Sequence, residues 1–170
     1  MNDHKPLPPL SVLREHFELR SETGDLLRRR GTNRHPSGGV CGKRTERGSI
    51  EVGLLGQKYM AHRIVYFLAT GRDPGEMVVD HINGLPYDNR PTNLRLASVK
   101  ENCRHKTRLS LKNSSGHRNV SWDRTWNQWR VSLTVDGRRI QKRFNNLQRA
   151  VECARNLRQE HYGEFSGLTP

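Results

Sequence analysis

Cysteines and long apolar runs are both scarce in this chain of 170 residues. Its three cysteines, Cys41, Cys103 and Cys153, stand far apart and form no C-x-x-C pair, which argues against a zinc ribbon or a disulfide framework. We interpret them as small buried apolar residues in a reducing compartment. No apolar stretch approaches the length of a signal-peptide core or a membrane span, so we expect a soluble, cytoplasmic protein with no membrane partner.

Apolar and acidic residues are also few. Hydrophobic residues make up 32% of the chain, which fits two modest cores better than one large core. Lys and Arg number 30 against 17 Asp and Glu, a net charge of +13. This excess predicts salt-sensitive binding to nucleic acid, and a solvated basic surface without a partner is the alternative. Residues 104–170 hold 14 basic and 5 acidic residues, a balance of +9, so we expect the stronger electrostatic contact there.

The first part of the chain predicts short elements separated by glycine-rich turns. Residues 1–10, with three prolines, predict a flexible arm. Leu10, Leu13 and Phe17 recur at helical spacing, and Gly71 ends a second apolar helical segment. The predicted elements are helices at 10–17 and 61–69 and short strands at 26–28, 49–54, 57–60 and 77–79. The last strand leads directly to an Asp-His pair.

The second part of the chain predicts a different module. Residues 104–113 are basic and aperiodic, as in a linker. Residues 130–135 alternate polar and apolar side chains, Asp136-Gly137 is a two-residue hairpin signal, and the chain returns over 138–144. With a first strand over 119–123 and a helix whose apolar stripe is Leu147, Ala150, Val151, Ala154 and Leu157, this predicts a small three-stranded antiparallel sheet packed on one helix.

Four polar residues in the middle of the chain suggest phosphodiester chemistry. Cleavage needs a hard cation with oxygen ligands, a base that titrates near neutral pH, and a group that holds the base in place. Asp80 offers a carboxylate, His81 an imidazole, and Asn93 lies in a loop that must fold back. Ser98 and Glu101 form a capping box that predicts a helix from Val99. Asn102 would then lie in the first turn of that helix, where its amide oxygen can face the same ion.

Simpler interpretations remain open for several residues. The Asp80-to-Gly84 tract is also compatible with a turn whose side chains bond to the backbone. His62 is more typical of a packed or capping histidine than of a neighbour of the site, and its role is left undecided. Trp122 and Trp129 fit packing in the core or at the sheet edge better than stacking on bases.

Residues 11–103 resemble the HNH nucleases of phages and mobile introns, in the ββα-metal superfamily. The resemblance is carried by His62-Arg63-Ile64-Val65-Tyr66, Gly71-Arg72-Asp73-Pro74, Val79-Asp80-His81-Ile82-Asn83-Gly84 and Asp88-Asn89-Arg90-Pro91-Thr92-Asn93-Leu94-Arg95. It implies that Asp80 is a metal ligand, that His81 is the general base, and that Asn93 braces the loop and the histidine. The last motif position, often histidine, is Asn102 here, as in a subset of the family with an asparagine ligand. The implied cofactor is one Mg²⁺ or Mn²⁺ per active site.

Residues 114–168 resemble the three-strand-plus-helix DNA-binding domain of plant ethylene-response factors, which also occurs fused to phage HNH nucleases. The matching stretches are Ser115 to Trp122, Gln128 to Val131, Arg138 to Ile140, Arg143-Phe144 and Glu160 to Gly163. In that family the sheet face opposite the helix enters the major groove. Ser121 and Asp123 depart from the arginines common in plant members, so the sequence preference cannot be transferred.

The strand alternation gives its own set of candidate DNA contacts. Val131, Leu133 and Val135 are expected to pack on the helix, and the register of the third strand is left open because Ile140 falls between two basic residues. The candidate DNA-binding residues are Arg118, Arg124, Arg130, Ser132, Thr134, Arg138 and Lys142 in the module and Arg104, Lys106 and Arg108 in the linker.

The sequence therefore predicts an α+β protein with an N-terminal nuclease domain and a C-terminal DNA-binding module. We expect it to hydrolyse double-stranded DNA with a divalent metal, nicking one strand per active site, inside a phage-infected or bacterial cell. A monomer is expected, with a dimer as the alternative. The competing hypothesis is a non-catalytic DNA-binding regulator or architectural protein built on the same scaffold.

Overall fold

The structure is a computed structural model and describes residues 5–31, 36–105, 109 and 113–167. The chain divides after Val99 into two compact units. Each unit combines helices and strands, which confirms the prediction of an α+β fold. In the part of the chain that the structure describes, none of the helices has the length and apolar character that crossing a membrane would require.

The N-terminal unit consists of short antiparallel sheets around one central helix. Strand β1 pairs with β2, β3, β4 and β5 form a three-stranded sheet in that order, and β6 pairs with β7. The elements are α1 (Leu10–His16), β1 (Phe17–Arg20), β2 (Asp25–Arg28), β3 (Lys43–Arg44), β4 (Ile50–Leu54), β5 (Gln57–Met60), α2 (Ala61–Thr70), β6 (Val78–His81), a 3-10 helix (Pro91–Asn93) and β7 (Leu94–Ala97).

Helix α2 lies at the centre of this unit's core. Its Ile64 and Val65 are fully buried, and Gly71 ends the helix in the left-handed conformation, with its N–H donating to the carbonyl oxygen of Phe67 at 2.9 Å. The core around α2 also contains Leu13, Phe17, Leu26, Val52, Leu54, Val79 and Leu94. Within the segment expected to be a flexible arm, Leu7 packs against this core.

Strands β1, β3 and β7 lie outside the sequence-based expectation, and α1 is one residue shorter than expected. The helix expected to run to Phe17 ends at His16, because Phe17 pairs with Arg28 as the first residue of β1 while its ring enters the core. Strand β7 was not expected. It exists because Leu94 and Ala97 are buried beside β6 and its backbone bonds to that strand, with Asp80 opposite Arg95 and His81 opposite Leu94.

Helix α3 (Val99–His105) follows β7 and leads into the C-terminal unit. It begins where the capping box predicted, and it continues two residues into the segment expected to be a linker. The cysteine expectation is wrong for one residue: Cys41 is buried and Cys153 partly buried, but Cys103, on α3, is exposed.

The C-terminal unit contains one three-stranded sheet and one long helix. The strands β8 (Val120–Asp123), β9 (Gln128–Val135) and β10 (Arg138–Phe144) lie in the order β10-β9-β8, all antiparallel, and α4 (Leu147–Tyr162) packs on them. Asp136 and Gly137 join β9 to β10 with φ values of 47° and 83°, as a tight hairpin of this kind requires. Asn146 caps α4 by accepting a hydrogen bond from the N–H of Arg149.

The register separates the two faces of this sheet. Val120, Val131 and Leu133 are buried against Ala150 and Ala154 of α4. Directly paired residues point to the same side of an antiparallel sheet, so the pairings assign the remaining side chains. The side opposite α4, called the outer sheet face below, carries Ser121, Asp123, Arg130, Ser132, Thr134, Arg139, Gln141 and Arg143.

Candidate active site and nucleic-acid interface

Asp80 and His81 are the last two residues of β6, and both are mostly buried, at 7% and 9% exposed. The cross-strand partner of Asp80 is Arg95, whose Nε and Nη2 both lie 3.0 Å from Oδ2 of the carboxylate. A carboxylate offers about four acceptor positions, so this contact leaves its chemistry as a metal ligand intact. Replacing Arg95 alone would leave a buried carboxylate without this cation, which costs about 3 to 5 kcal/mol in comparable cases.

The imidazole of His81 is held by a residue that the sequence did not single out for that task. Its Nε2 lies 3.0 Å from Oδ1 of Asn89, and Asn89 is itself 2% exposed. Burial lowers the pKa of His81 below its usual 6.5, while the hydrogen bond that His81 donates to Asn89 and the charges of Asp80 and Asp88 act in the opposite direction. The balance favours a neutral imidazole near pH 7.

Asn93 braces the loop that follows β6. Its Oδ1 accepts from the N–H of Asn83 at 3.0 Å, and its Nδ2 donates to Oδ1 of Asn83 at 3.0 Å and to the carbonyl oxygen of Asp88 at 2.7 Å. Its carbonyl oxygen also accepts from the N–H of Ile82 at 2.9 Å. These contacts tie Asn93 to the loop, the side chain that hydrogen-bonds to the His81 ring is that of Asn89, and the role of Asn93 in cleavage stays a prediction.

Asn89 is held in place from a distant part of the sequence. Gly24, in the turn between β1 and β2, has φ of +76° and packs so closely on the backbone of Asn89 and Arg90 that a Cβ there would collide with the Asn89 carbonyl group. Only glycine meets both conditions without strain. The β1–β2 turn is therefore part of the support of the His81 ring.

His62 is both packed and adjacent to the site. It lies in the first turn of α2, is 8% exposed, and its ring meets the His81 ring edge-on with 5.1 Å between centroids. Burial, then the charges of His81 and Arg63, lower the pKa of His62 to about 3. His62 also lines a pocket of about 350 Å³ together with Thr45, Glu46, Arg47, Ser49, Glu51 and Met60.

The donor set at the end of β6 fits a hard cation better than a soft one. Among the described residues, no group of three or more His, Cys, Asp and Glu side chains is placed to hold a metal. Mg²⁺ does not need such a cage, because it binds through one or two protein oxygens and completes its shell with water and phosphate oxygens. Asp80 supplies a carboxylate oxygen. Asn102 is the fourth residue of α3, in the other unit, and its sharing of an ion with Asp80 stays a prediction.

The outer sheet face is basic, and its one acidic side chain, Asp123, forms ion pairs with two arginines. Oδ2 of Asp123 lies 3.4 Å from Nε of Arg143 and 3.8 Å from Nη1 of Arg130. Two guanidinium groups against one carboxylate leave a positive balance, so Asp123 is less of an obstacle to phosphate than its charge alone suggests. The Arg143 guanidinium also lies 5.2 Å from the ring centroid of Trp126, which is 62% exposed.

The remaining candidate DNA contacts are distributed over the unit. Arg130 and Ser132 are partly buried and Thr134 is exposed, all three on the outer sheet face, and Arg124 is exposed in the turn after β8. Arg138 and Lys142 are exposed but pair with Val135 and Val131, which assigns them to the α4 side of the sheet. Sequence reasoning missed Arg139 and Arg143 because the register of β10 was open.

Of the candidate DNA contacts in the linker, the structure describes Arg104, and its guanidinium group has partners within the protein. Arg104 contacts Asp136 at 3.2 Å and lies over the ring of Tyr162, with 4.6 Å between its guanidinium carbon and the centroid. Arg118 donates from Nη1 to the carbonyl oxygen of Arg104 at 3.2 Å. Lys106 and Arg108 lie outside the described residues.

Trp122 and Trp129 meet edge-on at 4.9 Å between ring centroids, and Trp129 packs against the core of the unit, as expected.

Comparisons with known proteins point to one family. Residues 59–104 match the family model described as HNH endonuclease. Protein 3.8 of Escherichia phage T7 is 35% identical over 105 residues, 62% of this chain and 86% of that protein. An uncharacterized HNH endonuclease of Acanthamoeba polyphaga mimivirus is 30% identical over 113 residues, 64% of this chain and 56% of the relative. A solved structure of the HNH homing endonuclease I-HmuI, described as showing DNA binding and cleavage, is similar at a TM-score of 0.43 with 24% identity, covering 81% of this chain and 76% of the other.

Proposed function

The chain belongs to the HNH endonuclease family and is a DNA-cleaving hydrolase, and from that premise we propose that it nicks double-stranded DNA with the help of one divalent metal ion. The single observation that supports this most directly is the buried pair at the end of β6, where Asp80 and a neutral His81 lie side by side, each held by its own partner. The described residues contain one such pair, so we expect one strand to be cut per active site, and a double-strand break would require a dimer or two successive nicks.

His81 acts as the general base. The amide oxygen of Asn89 can only accept a hydrogen bond, so the Nε2 atom that faces it carries the hydrogen. The basic lone pair is then on Nδ1. Because burial keeps the ring neutral, Nδ1 can take a proton from a water molecule that attacks the phosphorus atom. Asn89 fixes the tautomer and the plane of the ring, and Asn93 fixes the loop from which Asn89 extends.

Asp80 and Asn102 are the proposed ligands of a divalent cation, Mg²⁺ or Mn²⁺. A bound cation of this kind would neutralise charge on the scissile phosphate and on the leaving 3′ oxygen. The two residues would supply only one carboxylate and one amide oxygen. We therefore expect the cation to bind weakly until phosphate oxygens of DNA complete its coordination. Arg95 holds Asp80 in position through a contact that does not use up its acceptor capacity.

The C-terminal unit is the proposed DNA-binding module, of the ethylene-response-factor type. Support comes from the excess of basic residues after residue 103 and from the outer sheet face, which carries Arg130, Arg139 and Arg143. The exposed Trp126, in the turn before β9, lies beside Arg143. Contacts from this face to phosphates would give affinity, and contacts to base edges would give sequence preference. The module would keep the nuclease near its preferred sites.

Conversion of supercoiled plasmid to open circles, with Mg²⁺ or with a chelator, tests the proposal. We expect nicking with the metal and none with the chelator. His81→Ala should abolish nicking and leave DNA affinity nearly unchanged, since the side chain is buried rather than presented on the basic surface. Equal loss of both properties would mean that His81 is structural. No nicking under any divalent ion would instead favour the non-catalytic DNA-binding regulator.

A further inference from the structure

A buried arginine in the C-terminal unit has no counter-ion among the described residues. Arg158, on α4, is 6% exposed, and its Nε and Nη2 atoms have no hydrogen-bond partner among the residues that the structure describes. A guanidinium group carries its charge near neutral pH and has five N–H donors. Burying it without an anion or acceptors is costly, so an uncompensated arginine of this kind indicates a ligand that is not part of the chain.

The guanidinium group of Arg118 lies close to that of Arg158, beside Gly167. The point where a Cβ on Gly167 would lie is 2.8 Å from Nη2 of Arg158, 3.3 Å from Nη1 of Arg118 and 2.7 Å from the carbonyl oxygen of His105. The two guanidinium groups are therefore near neighbours. Burial, followed by the charge of Arg118, lowers the pKa of Arg158 to about 10. Two like charges are held together in a partly dry environment, which a shared anion would stabilise.

The neighbours described around the two arginines are a backbone carbonyl group and an aromatic ring. Arg118 donates one hydrogen bond to the carbonyl oxygen of Arg104. Tyr162 lies near both Arg118 and Arg158, and its hydroxyl donates to the carbonyl oxygen of Thr134 at 2.9 Å. Over the described part of the chain, neither Arg118 nor Arg158 forms an ion pair with a carboxylate. Arg104, whose only carboxylate contact described is Asp136, adds a third positive charge beside Tyr162.

We propose that Arg118 and Arg158 form a binding site for a phosphate group. Paired guanidinium forks match the oxygens of phosphate and can bond to two of them at once, which a single lysine or a surface charge cannot do. The site lies at the C-terminal end of α4, and its arginines are not members of the outer sheet face. A DNA-backbone phosphate in this site would extend the proposed DNA-binding function, on which that case rests, whereas free phosphate would be a separate ligand; neither case involves the cleavage chemistry. The phosphate can come from the DNA backbone or from free phosphate.

Thermal unfolding of the full chain tests the site directly. Sodium phosphate is compared with sodium chloride at equal ionic strength, in the presence of a chelator. Arg158→Leu is measured beside Arg155→Leu, which removes an exposed arginine from the same helix. We expect phosphate to raise the unfolding midpoint of the wild type and of Arg155→Leu, and the apparent affinity for phosphate to fall at least about tenfold in Arg158→Leu, as expected for losing a charge-assisted contact.

Two results would overturn the proposal. One is a wild type that phosphate stabilises no more than chloride does. The other is an unchanged phosphate response in Arg158→Leu. If that variant does not fold, Arg158→Lys replaces it, because lysine keeps the charge but loses the fork, and a weaker phosphate response is again expected.

Duplex DNA binding, measured without metal at several salt concentrations, identifies the source of the phosphate. If the DNA backbone occupies the site, Arg158→Leu should lower DNA affinity and reduce the slope of log K against log salt by about one. If free phosphate occupies it, DNA affinity stays the same while the phosphate response is lost. Plasmid nicking is followed in parallel, so a failure of the cleavage proposal leaves the phosphate titration interpretable.

Discussion

The hydrogen bond between Asn89 and His81 allows a sharp test of the general base. Asn89→Asp keeps the size of the side chain and places a negative charge at an oxygen that lies 3.0 Å from Nε2. Two opposite charges about 4 Å apart attract by about 4 kcal/mol at an effective dielectric constant of about 20. One pKa unit corresponds to about 1.4 kcal/mol, so the upper limit is about 3 units. Burial of the new carboxylate reduces this, and we expect the pKa of His81 to rise by about 1 to 3 units.

The direction of the effect on cleavage follows from the role of the ring. Only neutral His81 can accept a proton, so the rate is lost as the pH falls through its pKa. In the wild type, burial lowers that pKa below 6.5, so if His81 is the base we expect nicking to persist into mildly acidic solution. Asn89→Asp should move the acidic limb of the pH–rate profile upward by the same about 1 to 3 units. Asn89→Ala removes an interaction that raises the pKa, so its acidic limb should move downward while the rate falls at every pH.

The assay is single-turnover nicking of supercoiled plasmid from about pH 5 to 9, with saturating metal and with DNA affinity measured at each pH. Circular dichroism confirms that each variant is folded. The reasoning is refuted if the profile of a folded Asn89→Asp variant coincides with that of the wild type. In that case either His81 is not the base or Asn89 does not contact it during the reaction.

Three further predictions concern the support of the site, its acid stability and the DNA surface. Gly24→Ala should lower the nicking rate with little change in DNA affinity, because a Cβ there displaces Asn89. The free energy of unfolding should decrease by up to about 1.4 kcal/mol per unit as the pH falls from 6.5 toward the lowered pKa of His62, and His62→Leu should flatten this loss in urea unfolding. Replacing Arg130 and Arg143 together with alanine should reduce the salt dependence of DNA binding by about one to two units of slope.

Each of these has a matched control. Gly38 has a similar φ of +79° with no atom near its missing Cβ, so Gly38→Ala separates backbone strain from the collision at Gly24, and equal nicking by both variants would contradict the argument. A His62→Leu protein that is as acid-sensitive as the wild type would assign the sensitivity elsewhere. Replacing Arg138 and Lys142, on the α4 side of the sheet, with alanine should change the salt dependence of DNA binding less than replacing Arg130 and Arg143 does. The reverse result would mean that the α4 side of the sheet faces DNA.

Much of the local structure could be predicted because it is encoded locally. The alternation over 130–135 and the Asp136-Gly137 turn predicted β9 and β10, and the capping box predicted the start of α3 at Val99. Strand β7 could not be predicted in this way, since only its pairing with β6 makes residues 94–97 a strand. The face of β10 was open for the same reason: one residue of register exchanges the two sides of a sheet.

The sequence alone determined the chemistry that this protein can perform. An aspartate and a histidine in succession, followed by spaced asparagines, give the family, and the excess of basic residues in the second half predicts a nucleic-acid partner. The tertiary structure decided which groups lie against the candidate sites. Asn89 meets His81, Gly24 supports Asn89, and Arg118 lies beside Arg158, although these residues are separated in the chain by 8, 65 and 40 positions. Such pairs depend on how the backbone folds back on itself, and no local pattern in the sequence encodes that.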